Sequence, residues 1–325
     1  SLITCENNRM NQSRVALAAI ATLIPLAMIA TVYTGRPALQ DREEQEKITV
    51  VASFYPLYEF ASRVVGDRAE VSSIVPAGVE PHDWEPTAED VSRGRAADVL
   101  VINGAGFERW ADDMQAKVVA NTSEGIEFNY REEKEAGDDE QGHEDAGGGG
   151  VNPHIWLDPM LAKHQIDKIR DVMANSDPAN TDYYNQNADR FTAELDSLDA
   201  FIRSELADCD KSDFIAFHDA FTYFSERYGL RQHSIQGASP EGEILPQTMQ
   251  QIIELANEFD INIIYSEDLI DSRLADTIAN EIPNGKVLVL SPIEGIGNEE
   301  QAAGIRYIDK MKQNIANLKE GLECR

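Results

Sequence analysis

Cysteine is nearly missing from this chain. The three present, Cys5, Cys209 and Cys324, have no paired spacing, which excludes a cysteine-built zinc finger. Positive charge is also short: Lys and Arg total 28 against 58 Asp and Glu, a net charge of -30. That balance disfavours phosphate backbones and anionic lipid surfaces, so nucleic acid is not expected among the partners. No HExxH, no GxSxG turn and no phosphate-cradling glycine loop occurs. The usual signatures of metalloproteases, serine hydrolases and nucleotide-binding enzymes are therefore absent.

Long apolar runs are lacking but for one. Val15 to Tyr33, VALAAIATLIPLAMIATVY, carries no charge and follows Arg14 directly. It is long enough to reach across a bilayer and reads as an export signal or an uncleaved anchor. Either way the remainder is expected outside the cytoplasm, tethered to the cell membrane by this segment or secreted after cleavage. In that setting Cys209 and Cys324 can form a disulfide, with two free thiols as the alternative.

At 325 residues the chain can build two compact domains. Residues 1–46 read as signal or anchor plus linker. Strand-like ITVVASF (Ile48 to Phe54), VSSIV (Val71 to Val75) and VLVING (Val99 to Gly104) are separated by helical stretches, and so are FIAF (Phe214 to Phe217), INIIY (Ile261 to Tyr265) and VLVL (Val287 to Leu290). Parallel pairing needs such crossovers, so residues 47–178 and 210–325 are expected to be two α/β lobes, each a parallel sheet flanked by helices. Between them, over 179–209, apolar positions from Tyr184 through Phe191 to Ile202 recur at steps of four and three, without Gly or Pro. This predicts one long stiff connecting helix with a single buried stripe. The segment 131–150, REEKEAGDDEQGHEDAGGGG, cannot bury enough apolar surface to fold alone and reads as a mobile acidic loop. Its His143 has acidic neighbours able to collect cations weakly, although a solvated loop with an incidental histidine is the simpler reading.

Two lobes joined by one helix leave a cleft, and ligands of open parallel sheets sit beyond the carboxyl ends of the strands. Three of the six histidines fall on strand-exit segments: His82 in VEPHDWEP, His154 in NPHIWLDP and His218 directly after FIAF. Neutral imidazoles at one focus suit a borderline-soft cation such as zinc, which takes His nitrogens plus an oxygen. For a fourth ligand the strand-end rule offers Glu267 and Ser291, both weak candidates. Asp83, Asp158 and Asp219 lie beside the three histidines in sequence. They are candidates to hold the outer imidazole N–H groups, or alternatively to cap helices.

VEPHDWEPTAED, NPHIWLDP, FHDAFTYFSERYGL, GASPEGEI and VLVLSPIEGI, in this order, resemble the cluster A-I metal-binding proteins of ABC-type importers, closest to the zinc-uptake (ZnuA-like) branch. The resemblance covers roughly residues 47 to 320. It implies a metal held between two lobes by His82, His154 and His218, and an acidic loop just before the second ligand. One departure stands out: the family usually has Asp where this chain has Ser291. The implied function is capture of Zn2+ outside the membrane and delivery to an ABC permease, by a protein that is not an enzyme and acts as a monomer. Alternatives are the same role for manganese or iron, a zinc-dependent hydrolase with Glu267 as base, and an adhesion protein with a structural metal.

Overall fold

The computed structural model describes residues 47–128, 151–240 and 244–325. The apolar run, Cys5, the acidic segment and His143 lie outside the described residues. Among the described residues no helix is long and apolar enough to cross a membrane.

Among the described residues the predicted alternation is realised as eight strands: β1 (Ile48–Ala52), β2 (Ala69–Ser73), β3 (Val99–Ile102) and β4 (Val119–Asn121), then β5 (Asp213–Ala216), β6 (Arg231–Ser234), β7 (Ile263–Ser266) and β8 (Lys286–Val289). Helices α1 (Tyr55–Val65), α2 (Ala88–Ala96) and α3 (Ala111–Met114) belong to the first lobe, followed by α4 (Pro159–Ser176) and α5 (Thr181–Glu205). The second lobe carries α6 (Thr222–Tyr228), α7 (Pro246–Glu258), α8 (Arg273–Glu281), α9 (Asn298–Ala303) and α10 (Tyr307–Gly321). Among the described residues every pairing between these strands is parallel, and the two sheets share one order, β2-β1-β3-β4 and β6-β5-β7-β8. The fold is the α/β pair of lobes that the alternation predicts.

Two strands escape the sequence pattern. Both β4 (VAN) and β6 (RQHS) are edge strands. An edge strand pairs on one side only and can be short and polar, so hydrophobic runs do not reveal it. His233 sits on β6 with its Nε2 at 2.8 Å from Asp213 Oδ1.

The long helix is α5, whose 25 residues span about 37 Å. Its predicted stripe is buried: Tyr184, Phe191, Leu195 and Ile202 are among its core residues. It ends at Glu205, three residues past the last stripe position and short of the expected 209, and the chain then leads to Cys209, which is bonded to Cys324 just after α10. One continuous apolar cluster joins α5, α1 and α4 to strands of both lobes. That shared core fixes the sheets so that their strand-exit loops converge.

Candidate metal centre

Each lobe supplies two polar side chains to one focus. His82 lies in the loop that leaves β2, where Glu80 oxygens accept from the His82 and Asp83 backbone N–H groups at 3.1 and 3.4 Å. The imidazole packs edge-on against Phe107, with ring centroids 4.9 Å apart. His154 follows Pro153, which keeps the chain extended before it. After His154, however, the backbone enters a 3-10 turn, Ile155–Leu157. Pro159 begins α4, a position that tolerates its missing N–H. His218 leaves β5 two residues after the strand and is fully buried, as is His154.

The fourth group is Glu294, in the loop after β8. His82, His154, His218 and Glu294 each place a ligand-capable atom within 4.8 Å of the others. Glu294 Oε1 lies 3.1 Å from His82 Nε2, 2.9 Å from His154 Nε2 and 3.3 Å from His218 Nε2. The Nε2 of His154 is in turn 3.3 Å from that of His82 and 3.0 Å from that of His218. A tetrahedron with bonds of about 2.0–2.1 Å has edges of about 3.3 Å, so these five separations are close to those of a zinc ion's ligand shell, and the remaining pair, His82 and His218, lies within 4.8 Å.

The outer nitrogens fix which ring atoms face the focus. His154 Nδ1 is 2.7 Å from Asn152 Oδ1, and His218 Nδ1 is 2.5 Å from Glu267 Oε1. Asn152 and Glu267 therefore hold the tautomers that leave Nε2 free to bind. Asn152 also bridges the lobes, since its amide donates to the Asp219 carbonyl and its own carbonyl accepts from the Tyr223 hydroxyl at 2.7 Å. From Ile155 onward Trp156 adds a second bridge, its indole N–H donating to the Pro292 carbonyl at 2.7 Å.

Several expected roles go to other residues. Glu267 faces the outer edge of His218 and not the focus. Ser291 donates its hydroxyl to Asp268, at 3.0 Å from each carboxylate oxygen. Neither belongs to the four-residue group. Asp158 accepts from the Met160 and Leu161 N–H groups as the N-cap of α4 and pairs with Arg227. Asp219 accepts from the Thr222 hydroxyl at 2.6 Å. Asp83 is exposed, its backbone tied to Glu80. Nearness in sequence to a histidine thus marks loop and cap residues: Asp83 and Asp219, one position away, and Asp158, four away, are engaged elsewhere. Glu294 lies four residues beyond VLVL, past the strand-end position that the topology singles out there. The available signal was that it is the sole carboxylate between Leu290 and Asn298.

Charge and burial prepare the focus for a cation. Burial alone would raise the Glu294 carboxyl, but the three surrounding imidazoles hold it well below the usual carboxylate range. Burial likewise disfavours the His218 cation, yet Glu267 and Glu294 outweigh it and push the imidazole up to about 10. His82 is raised against its burial by Glu294. His154 has no such surplus of carboxylate, and burial lowers it to about 3. The metal-free site is therefore a carboxylate neutralised by protonated imidazole, which a divalent cation can replace.

A family model described as zinc-uptake complex component A, periplasmic, matches residues 50–321. The chain is 37% identical over 289 residues to the high-affinity zinc uptake system protein ZnuA of Bacillus subtilis, covering 85% of this chain and 88% of that protein. It is 32% identical to the zinc-binding lipoprotein AdcA of Streptococcus pneumoniae over 86% of this chain, but spans only 56% of that longer relative. The solved structure of the zinc-bound ZnuA-like domain of the S. pneumoniae AdcA superposes with a TM-score of 0.72 at 30% identity, covering 85% of this chain and 99% of that one.

Proposed function

From the premise that this chain belongs to the ZnuA family of zinc-uptake components, we propose that His82, His154, His218 and Glu294 together hold the captured ion. The chain is an extracytoplasmic zinc-binding component of an ABC importer and not an enzyme. Its cargo is Zn2+ and its partner a membrane permease. The observation that carries the ligand assignment is the set of donor separations between 2.9 and 3.3 Å around Glu294 Oε1 and His154 Nε2. Glu294 occupies the position that a hydrolase would leave open for its attacking water.

Three imidazole nitrogens favour zinc over manganese, which prefers oxygen donors and stands lower in the affinity order of divalent metals. All four proposed ligands come from one chain, so the site needs no second copy, which supports the reading of the protein as a monomer. Tethering to the membrane through the apolar segment 15–33 is part of this proposal and rests on its length and lack of charge. The test is calorimetric titration of metal-stripped protein with zinc and with manganese. The expected result is one tight zinc site with manganese bound far more weakly. Equal or tighter manganese binding would overturn the nitrogen-donor argument.

A further inference from the structure

The loop that carries Glu294 is held in an unfavourable backbone conformation. Ile293, immediately before Glu294, has φ of 56°, in the left-handed region that disfavours a β-branched side chain, and it is fully buried. Such a conformation persists only where its surroundings over-determine it. Here the determinant is Ser291. Its hydroxyl accepts from the Ile293 N–H at 3.1 Å and donates to the Asp268 carboxylate. Asp268 is fixed in turn by Lys310, which is 3% exposed and donates a further bond to Glu300 at 2.7 Å. Both backbone groups of Ser291 are taken by one side chain of α10: its N–H donates to Asn314 Oδ1 at 2.9 Å, and its carbonyl accepts from Asn314 Nδ2 at 2.7 Å.

We infer that Ser291 is a positioning residue, whose hydroxyl locks the left-handed turn at Ile293 and so aims Glu294 at the three imidazoles. The residue type follows from the two bonds. Only a side chain that donates and accepts at once can serve Asp268 and Ile293 together. Alanine would lose both bonds. Aspartate could accept from Ile293 but would set a second carboxylate against Asp268, where like charges repel. Serine at this position and a carboxylate three residues later are thus one device, and Ser291 is not a weakened metal ligand. Gly295 packs the turn closely: a Cβ there would stand 2.7 Å from Leu269 Cδ1 and 3.4 Å from the Val79 carbonyl, so a side chain would have to displace the tip of Leu269 where the loop meets the segment leading to His82.

This inference rests on the reading of Glu294 as the fourth ligand, and the experiment separates the two. Zinc affinity and the visible spectrum of the cobalt(II)-loaded protein are measured for the wild type, Ser291→Ala, Ser291→Asp, Glu294→Gln and the Ser291→Ala/Glu294→Gln double variant. Thermal unfolding of the metal-free forms checks folding. Ser291→Ala is expected to weaken zinc binding about tenfold, the loss of a buried hydrogen bond. It should also shift the cobalt spectrum toward that of Glu294→Gln and add nothing in the Glu294→Gln background, because the two residues act through one ligand. Ser291→Asp, a second and independent variant, is expected to weaken binding as well. Wild-type affinity and spectrum in Ser291→Ala, an equal loss in both backgrounds, or tighter zinc binding by Ser291→Asp would each overturn the inference. Wild-type behaviour of Glu294→Gln would overturn the ligand assignment itself.

Discussion

His154→Ala removes tight zinc binding while leaving a folded protein. Among the three histidines His154 is the central one, with its Nε2 within 3.3 Å of both other Nε2 atoms and 2.9 Å from Glu294 Oε1. Its loss breaks one bond to the ion outright, so the effect exceeds the ~10–100-fold typical of losing a residue that merely orients a ligand. A binding ligand at about 100 times its Kd stabilises the folded state by ~2.7 kcal/mol. At that zinc concentration the wild type should gain a clear rise in thermal midpoint, and His154→Ala should show none. The metal-free variant still folds, because His154 is neutral in the metal-free site and its removal leaves no unpaired buried charge. A zinc-induced shift equal to that of the wild type would show that the ion binds elsewhere.

Acid weakens zinc binding steeply, the second large effect. His218 is pushed up to about 10, so in the metal-free protein it is protonated throughout the physiological range. Zinc needs the Nε2 lone pair and must expel that proton. Below about pH 10 each unit of pH then changes affinity by about tenfold per displaced proton, which amounts to ~1000-fold between pH 8 and pH 5. His82, also raised, steepens the acid end of this range. The sign for stability runs the other way. A raised imidazole stabilises the metal-free fold fully below its unfolded value of about 6.5 and loses that contribution as pH rises through about 10. Zinc titrations at several pH values, with proton release read from buffers of different ionisation enthalpy, check both statements. A pH-independent affinity with no proton release would mean that His218 is neutral or not a ligand.

Much of this was legible in the chain. Alternating strands and helices predicted two parallel sheets because parallel pairing leaves no shorter connection. The stripe from Tyr184 to Ile202 predicted α5 because a helix repeats its buried face every three to four residues. His82, His154 and His218 could be picked out because parallel sheets present their loops at one end. What stayed hidden has two physical causes. Edge strands such as β6, RQHS, are specified by a neighbouring backbone and not by their own hydrophobicity. Side-chain direction within loops depends on local dihedrals: the left-handed turn at Ile293 turns Glu294 inward, and no periodic pattern encodes that. For the same reason the orienting partners of the imidazoles are Asn152, two residues from His154, and Glu267, 49 residues from His218, and not the adjacent aspartates.

The most direct measurement is zinc-edge X-ray absorption on protein loaded with one equivalent of the ion. The expected result is a shell of nitrogen and oxygen only, at about 2.0–2.1 Å, with the outer-shell scattering of three imidazoles. Sulfur at about 2.3 Å, or an oxygen shell without imidazole scattering, would contradict it.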